Sequence, residues 1–344
     1  MSWRRRLLGF FLATALVLVP AEFLLRRINF APAGRDPVLG SIREPGSVSR
    51  HAVEGDGRSS WIVHGLRREQ PMDPDADTIL ALGDSYTEAA QIDDDEVFTY
   101  ALEQALRRGG LPFQVLNAGK SGYSPADYVD KADFYRGLGA NRWTIIQLRD
   151  ADLEEDGWKP VKNHFARMPD GTLGIQHVDP PRSKFGWIFR PVLNNSALIS
   201  YAIERFLEFR SAAAAEPPLF RAAGKRAESA PRNEPYPVEE ELELLHRSFD
   251  GLVTFLYLAV YDPEHPIGGG VTDVEQRLVA VCLDRGWSCV NLRDAFPDFA
   301  ARRIAPFGFA NTAYNNGHLN ADGHQAAAML LEREMERLRA GDLL

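Results

Sequence analysis

A serine in the first third of the chain and a histidine near its end have the residue types that acyl transfer requires. Ser85 follows an apolar run at residues 79–82 and a glycine, Gly83, while His318 lies in a polar stretch close to the carboxyl end. A serine hydroxyl is a weak nucleophile, and an imidazole within hydrogen-bond reach activates it by accepting its proton. The pair therefore indicates chemistry on an ester.

The same serine also fits a purely structural role. Ser85 and Glu88 have the spacing of a capping box, in which the serine oxygen accepts from an amide of the first helical turn and the glutamate reaches back. Asp84 likewise fits a turn-former or helix cap better than a catalytic acid. Only the remainder of the chain distinguishes the nucleophile from the cap.

Composition and charge narrow the class of protein. The 344 residues allow one or two domains, and 45% hydrophobic with 25% charged residues is ordinary for a globular protein. The 39 Lys and Arg against 48 Asp and Glu give a net charge of −9, which argues against a nucleic-acid partner.

Neither a metal nor another cofactor is expected. No Gly-x-Gly-x-x-Gly or Walker loop follows a predicted strand, which disfavours a nucleotide-binding protein. Cys282 and Cys289 are the two cysteines, and two ligands do not fill a zinc site. In an oxidising compartment they can link the end of a helix to the next strand, but their spacing leaves the bonded and free forms both open. Several histidines show no metal-ligand spacing: His51, His64, His164, His177, His246 and His265.

The N-terminus is typical of an exported or membrane-anchored protein. Arg4-Arg5-Arg6 precedes an apolar run at residues 7–19, so residues 1–27 are predicted to be a signal peptide or a signal anchor. Residues 19–21 offer a small-residue cleavage site, whereas residues 7–25 offer a marginal membrane span. The uncleaved anchor is favoured because arginines resume at 26–27 without a clear processing signature. The body of the protein is expected in the periplasm or outside the cell.

The rest of the chain alternates strand and helix patterns. Residues 28–75 show little period and are interpreted as an extended segment before a catalytic domain at 76–340, with a mobile Ala- and Pro-rich insertion at about 211–237. The predicted strands are 78–82, 114–117, 143–148, 253–260 and 288–292, and the predicted helices are 96–108, 125–138, 194–210, 238–248, 272–285 and 321–338. This alternation predicts a parallel sheet of about five strands wound with helices, whose strand ends converge on one crevice.

Three blocks in this order resemble the SGNH hydrolases, also called the GDSL esterase/lipase superfamily. Gly83-Asp84-Ser85 matches the first block, Asn117-Ala118-Gly119-Lys120-Ser121-Gly122 the second, and His318-Leu319-Asn320 with Gly323-His324 the last. The resemblance covers residues 60–340 and implies a flavodoxin-like three-layer α/β/α sandwich. It also implies that Ser85 is the nucleophile, that His318 is the base, and that the amides of Ser85 and Gly122 hold the oxyanion. His324 is implied to be a packing residue.

The third block departs from the family pattern. The resemblance expects Gly-x-Asn-Asp, whose asparagine donates to the oxyanion, but the aligned residues are Arg149-Asp150-Ala151-Asp152. Ala151 supplies no donor, and loss of one oxyanion donor costs on the order of 10²–10³ in rate in a serine protease. Arg149 or the Asn117 side chain is the candidate substitute.

The acid of the triad also departs from the pattern. The family places an aspartate two or three residues before its histidine, where this chain has Asn315-Asn316-Gly317. An asparagine can orient an imidazole but cannot stabilise imidazolium by charge. Asn315 and Asn316 are the candidate orienters, and an acid from elsewhere in the chain or a dyad is the alternative.

Two functions follow from these patterns. The first is a serine hydrolase or O-acyltransferase acting on an ester of an envelope glycan or lipid, anchored to the membrane by its N-terminal segment. The second is a catalytically weakened domain of the same fold that binds acylated glycans or a partner protein. Trp158, Phe185 and Trp187 are candidates for a substrate groove, although scattered aromatic residues more often belong to a core.

Overall fold

The computed structural model describes residues 3–28, 31–138, 141–158, 163–178, 195–213, 236–266, 268–312 and 314–341. The strands of this part of the chain are β1 Ala33–Asp36, β2 Gly40–Arg43, β3 Val48–His51, β4 Gly57–Ser60, β5 Thr78–Leu82, β6 Gln114–Asn117, β7 Asn141–Leu148, β8 His164–Arg167, β9 Leu173–Gln176, β10 Leu252–Tyr257 and β11 Ser288–Asn291.

Helices alternate with the later strands. They are α1 Trp3–Ile28, α2 Ser85–Glu88, α3 Phe98–Arg108, α4 Pro125–Asp130, α5 Ala132–Arg136, α6 Ala197–Ala213, α7 Val238–Arg247, α8 Asp273–Arg285, α9 Phe296–Arg302 and α10 Ala321–Ala340. Short 3₁₀-helices lie at Val63–Gly65, Asp94–Glu96 and Leu292–Ala295, and a π-helical turn lies at Asp152–Asp156.

A parallel sheet forms the core. Its strand order is β11-β10-β7-β5-β6, and every pairing in it is parallel. Numbered along the chain within this sheet, the order is 2-1-3-4-5, which is the flavodoxin-like order. Helices α3 and α10 pack together against the sheet, while α4, α7 and α8 pack together in a second group. The predicted flavodoxin-like three-layer fold is confirmed.

The strands that carry the candidate site are buried along their whole length. All five residues of β5 and all four of β6 are buried. Parallel strands covered on both faces have continuous apolar runs, and residues 79–82 have this pattern. The carboxyl ends of β5, β6 and β7 therefore lie side by side at one rigid edge.

The segment before the sheet forms hairpins rather than a plain extended linker. Strands β1 and β2 pair antiparallel, and so do β3 and β4. The buried Arg67 attaches this segment to the loop that follows α2, since its Nε lies 2.9 Å from Asp94 Oδ1. Its guanidinium also donates to a group of backbone carbonyls, those of Arg58, Glu88, Ala89 and Ile92. The hairpins are thereby held against the residues that follow Ser85.

Helix α1 is long and apolar enough to cross a membrane, with a mean hydropathy of 2.2 in its most apolar window. The carboxyl-terminal part of α1 contacts α6 around Glu22. The Glu22 carboxylate accepts hydrogen bonds from the Ser196 hydroxyl at 3.0 Å and from the amides of Ala197 and Leu198 at 3.0 and 2.8 Å. Because a carboxylate satisfies the first amides of a helix, α1 caps α6.

The paired cysteines and the predicted insertion are the two remaining expectations outside the sheet. Cys282 and Cys289 form a disulfide with a Cα separation of 6.2 Å, which joins α8 to β11. Most of the predicted insertion at 211–237 lies outside the described residues.

The packing residue His324 links the last helix to α3. His324 is fully buried, stacks on Phe98, and accepts a hydrogen bond from the Phe98 amide at its Nδ1. Burial, with a smaller effect of the Arg67 charge, lowers its pKa from 6.5 to about 3. The structural role expected for His324 is confirmed.

We expect the protein to lose stability as pH falls from 6.5 towards 3, because the unfolded chain takes up a proton at this histidine that the folded chain does not. The free energy of unfolding should fall by about 2 kcal/mol between pH 6.5 and 5 from this group. Denaturant unfolding of the wild type and of His324→Gln in neutral detergent tests this. The variant should show a shallower slope against pH, and equal slopes would contradict the assignment.

Candidate active site

The end of β5 and the loop before α10 bring Ser85 and His318 together. The Ser85 Oγ lies 2.8 Å from His318 Nε2. Ser85 is the first residue of α2, and the Asp84 carboxylate caps that helix by accepting from the Tyr86 amide at 2.9 Å. The hydroxyl is therefore held at the carboxyl end of a buried strand, within reach of a base.

The capping box expected at Ser85 and Glu88 is absent, because Asp84 occupies the cap position. The Glu88 carboxylate turns away from Ser85 and accepts from both the amide and the hydroxyl of Ser121. The interpretation of Asp84 as a cap is confirmed. The Ser85 hydroxyl therefore takes no part in capping and can hydrogen-bond to the His318 imidazole.

A carboxylate from the N-terminal hairpin orients the imidazole. Glu54 Oε2 lies 2.5 Å from His318 Nδ1, and Glu54 Oε1 accepts from the His318 amide at 2.6 Å. A carboxylate only accepts, so Nδ1 carries a proton and the neutral ring presents a bare Nε2 to Ser85. Glu54, His318 and Ser85 therefore have the connectivity of a catalytic triad.

The two asparagines predicted to orient His318 do not do so. Asn315 donates from Nδ2 to the carbonyl of Tyr261 at 2.8 Å, and Asn316 is exposed. Glu54 already occupies the Nδ1 side of the ring, so the prediction for Asn315 and Asn316 was wrong. The open alternative, an acid from elsewhere in the chain, is the arrangement present.

The tip of the β3–β4 hairpin is clamped so that Glu54 stays in place. The Asn311 side chain accepts from the Gly55 amide at 2.8 Å and donates to the carbonyls of Ala52 and Gly55 at 3.3 and 2.8 Å. The Asp56 amide also donates to the carbonyl of Gln91 at 3.2 Å. The loop that carries His318 and the hairpin that carries Glu54 are thus joined independently of the triad.

Gly317 makes room for the carboxylate. Its φ is +100°, and a Cβ at this position would overlap Glu54 Oε1. Its carbonyl accepts from the Tyr86 hydroxyl at 3.1 Å, and the Tyr86 ring lies 4.8 Å from the His318 ring. Gly317 and Tyr86 therefore fix the imidazole from two sides.

The contact with His318 lowers the pKa of Glu54. Burial by itself raises the pKa of this carboxyl, but the two hydrogen bonds and the charge of His318 outweigh burial and hold the pKa below its usual value of 4.5. Glu54 is therefore ionised at neutral pH, as stabilisation of an imidazolium requires.

The loop after β6 has the geometry of a tight turn beside the serine. The Tyr123 amide donates to the carbonyl of Lys120 at 3.0 Å, and Gly122 between them has a φ of +84°. This is the pattern of a type II turn, whose third residue must adopt positive φ. The Lys120 amide donates to the Gly83 carbonyl at 2.9 Å, which ties the turn to the loop of Ser85.

The Asn117 side chain is not available as an oxyanion donor. It is buried and donates to the carbonyl of Thr87 at 2.7 Å and to the Thr99 hydroxyl at 3.4 Å, while its oxygen accepts from the Gly119 amide. The prediction for Asn117 was therefore wrong, and the side chain instead holds α2 and the turn together.

Arg149 lies at the mouth of the site beside Tyr86. Its guanidinium carbon is 4.9 Å from the centre of the Tyr86 ring, and its Nη2 is 3.4 Å from Asp84 Oδ2. Ala151, which the sequence resemblance aligns with the asparagine of the third block, is half-buried. Arg149 is thus a cation close to the serine loop, held there by Asp84.

Glu54, Asn311 and Tyr86 are the residues that sequence reasoning missed. Glu54 lies in a segment without period, 264 residues from His318 along the chain. Gly317 did carry a signal, because a glycine next to the base marks a close approach of another group. Trp158 belongs to a small core with Phe165 rather than to a groove, and the predicted groove residues Phe185 and Trp187 lie outside the described residues.

Among known proteins, only solved structures resemble this chain. No family model and no curated protein sequence matches the chain. Solved structures that resemble it include a two-domain esterase active on acetylated mannans, at 11% identity over 77% of this chain and 50% of that chain, with a TM-score of 0.41.

Two further similar structures are covered by the match over nearly their whole length. A lipolytic protein of the G-D-S-L family from Veillonella parvula is 11% identical over 76% of this chain and 100% of its own, with a TM-score of 0.40. A catalytic mutant of an acetylxylan esterase from Geobacillus stearothermophilus is 12% identical over 76% and 96%, with a TM-score of 0.39. This chain spans half the length of the mannan esterase. At these TM-scores we draw nothing about activity from the likeness.

Proposed function

We propose that the chain is a serine hydrolase of the SGNH type that acts on carboxylic esters through an acyl-Ser85 intermediate. The observation that supports this most directly is the hydrogen-bonded series Ser85–His318–Glu54, with distances of 2.8 and 2.5 Å. A helix cap requires neither a base on the hydroxyl nor a carboxylate behind that base. The acid found at Glu54 also removes one of the two reasons for considering a catalytically weakened domain.

The reaction proceeds in two steps, acylation of Ser85 and transfer of the acyl group to an acceptor. Ser85 Oγ attacks the ester carbonyl carbon and passes its proton to His318 Nε2; the alkoxide then leaves with that proton as an alcohol. A water, or the hydroxyl of a sugar, next gives its proton to Nε2 and attacks the acyl carbon, and Ser85 leaves and recovers the proton. Water yields an acid, whereas a sugar hydroxyl yields a new ester. Glu54 stabilises the imidazolium in both steps.

The oxyanion is held by backbone amides in this proposal. The proposed donors are the amide of Ser85, the first residue of α2, and the amide of Gly122, whose turn is tied to the Gly83 carbonyl through the Lys120 amide and whose φ is +84°. Arg149, 4.9 Å from the Tyr86 ring, supplies positive charge nearby. The apolar helix α1 supports a location at a membrane or beyond it, as an anchor or as a cleaved signal sequence, and we propose an acylated envelope glycan or lipid as the substrate class.

The nucleophile is tested with a fluorophosphonate probe, which reacts covalently with activated serines. We expect the full-length wild type to be labelled and Ser85→Ala to show no labelling. A matched control is Ser121→Ala, which removes a neighbouring hydroxyl that bonds to Glu88. Labelling that persists in Ser85→Ala, or a wild type that never reacts, contradicts the proposal.

We expect Ala151→Asn to raise kcat, because an asparagine at this position adds the side-chain donor that the third block lacks. One oxyanion donor is worth about 10²–10³ in rate in a serine protease, which sets the upper limit of the gain. Hydrolysis of p-nitrophenyl acetate measures it, with Ala151→Leu as a control of similar size. An unchanged kcat in Ala151→Asn would show that Arg149 or a backbone amide already supplies the donor to the oxyanion.

A further inference from the structure

A large cavity lies between the apolar N-terminal helix and the catalytic body. Its volume is about 760 Å³, within the range of small-molecule sites. Its wall combines Leu25 of α1, Ile203 of α6, Ile42 of β2 and the turn residues Lys120 and Ser121. The cavity is separate from the triad, since neither Ser85 nor His318 lines it, although Ser121 directly precedes Gly122.

Two cations on this wall have no carboxylate partner in the described part of the chain. The Lys120 ammonium donates to the carbonyls of Leu39 and Ser41 at 2.7 and 2.6 Å and lies 4.7 Å from the centre of the Tyr123 ring, so its third N–H group has no oxygen acceptor in the described residues. Arg43 makes one long contact, 3.4 Å, with the carbonyl of Ala31. Both cations therefore carry charge that an anion can neutralise.

The remaining charged groups of the wall are already engaged. Glu88 accepts from the amide and hydroxyl of Ser121, which are neutral groups, so its negative charge remains. Arg50 pairs with Asp56, and His64 Nδ1 lies 2.8 Å from Asp36 Oδ2. His51 is the remaining titratable group, and burial lowers its pKa, which favours the neutral ring. Among the described side chains that line the cavity, the cations Arg43, Arg50 and Lys120 therefore outnumber the one carboxylate, Glu88, and the two cations outside an ion pair are Arg43 and Lys120.

Apolar surface surrounds the membrane side of the cavity. Leu25 contributes from α1, while Tyr201 and Ile203 of α6 line the cavity and are 38% and 44% exposed. Phe206 of α6 and Leu24 of α1 are exposed as well. Glu22 fixes the two helices to each other through the hydrogen bonds that cap α6.

We propose that this cavity binds a membrane lipid with a negatively charged headgroup. The headgroup phosphate lies between Arg43 and Lys120, and the acyl chains lie along the exposed apolar side chains of α1 and α6. Positive charge at one end and apolar helices at the other match the two parts of such a lipid, whereas a water-soluble anion uses only the first. The site is independent of the proposed ester chemistry.

The test measures lipid retention by native mass spectrometry of the full-length Ser85→Ala protein in an uncharged detergent. The Ser85→Ala background removes turnover, so the result does not depend on whether the chain is a hydrolase; conversely, fluorophosphonate labelling reports on the hydrolase alone. The probes are dioleoylphosphatidylglycerol and dioleoylphosphatidylcholine. The variants are Arg43→Gln, Ser41→Trp, which places an indole in the cavity, and Arg108→Gln as an exposed control outside it.

We expect one phosphatidylglycerol to be retained at least 5-fold more tightly than phosphatidylcholine. Arg43→Gln should lose most of that preference, Ser41→Trp should lose the bound lipid, and Arg108→Gln should behave as the parent. Equal retention of the two lipids, or equal behaviour of Arg43→Gln and Arg108→Gln, overturns the proposal. Displacement of the lipid by millimolar glycerol phosphate overturns it too, as does an intact mass that lacks α1.

Discussion

Replacing Glu54 by glutamine is expected to lower kcat for ester hydrolysis by about 10³–10⁴-fold while leaving the protein folded. Glutamine keeps the size and one acceptor, but Glu54 faces two donors, the amide and Nδ1–H of His318, at 2.6 and 2.5 Å. If the amide NH₂ faces the ring, the imidazole adopts the tautomer with its proton on Nε2 and can no longer accept from Ser85. The equivalent Asp→Asn change in trypsin-like proteases costs about 10⁴.

The controls separate this role from general damage. Glu44→Gln makes the same chemical change on an exposed residue of the N-terminal segment, and Asn316→Ala removes one of the asparagines first predicted to hold His318. Both should stay within about 2-fold of the wild type. Glu54→Asp should fall between wild type and Glu54→Gln, because the carboxylate charge remains but its reach is shorter by one methylene. A Glu54→Gln enzyme with normal kcat would remove Glu54 from the triad.

Two further readouts distinguish an altered tautomer from a lost fold. Thermal unfolding in neutral detergent should change little, since the β3–β4 hairpin is also held by Asn311 and by the contacts of Arg67. KM should change less than kcat, because Glu54 reaches the imidazole and not the ester. The rate of fluorophosphonate labelling should fall together with kcat, since both depend on deprotonation of Ser85.

Local patterns predict the sheet and two of the three residues of the proposed triad. The strands β5 and β6 have the predicted bounds, because each contains an apolar run typical of a parallel strand covered on both faces. Ser85 and His318 follow from blocks in which the residue and its turn are adjacent in sequence. The expected single helix at 125–138 is instead two short helices, α4 and α5, which meet at Lys131.

Glu54, the third residue of the proposed triad, could not be predicted from local sequence patterns, and the reason is physical. Glu54 reaches His318 through tertiary contacts between a hairpin and a loop that are far apart in sequence, and periodicity reports only on neighbours along the chain. The error over Asn117 has a related origin. Its block matches, but a buried amide satisfies its hydrogen bonds with the nearest backbone groups, here the carbonyl of Thr87.

Gly317→Ala should reproduce most of the loss of Glu54→Gln although every member of the triad is still present. The added Cβ overlaps Glu54 Oε1, and the φ of +100° is strained for alanine. The carboxylate must move away from the His318 amide and from Nδ1, so we expect kcat to fall by about 10²–10³-fold, an estimate bounded by loss of the acid itself.

A double-mutant cycle decides whether this loss passes through Glu54. If it does, adding Glu54→Gln to Gly317→Ala costs little more than either change alone, because both remove the same interaction. Gly110→Ala is the matched control for strain, since Gly110 also has positive φ, +75°, but a Cβ there meets nothing within 4 Å. The free energy of unfolding should fall by about 1–2 kcal/mol in both glycine variants, because alanine is strained at positive φ. Only Gly317→Ala should lose activity. Additive losses in the double variant would instead place the effect of Gly317 on the backbone of the histidine loop, independent of the carboxylate.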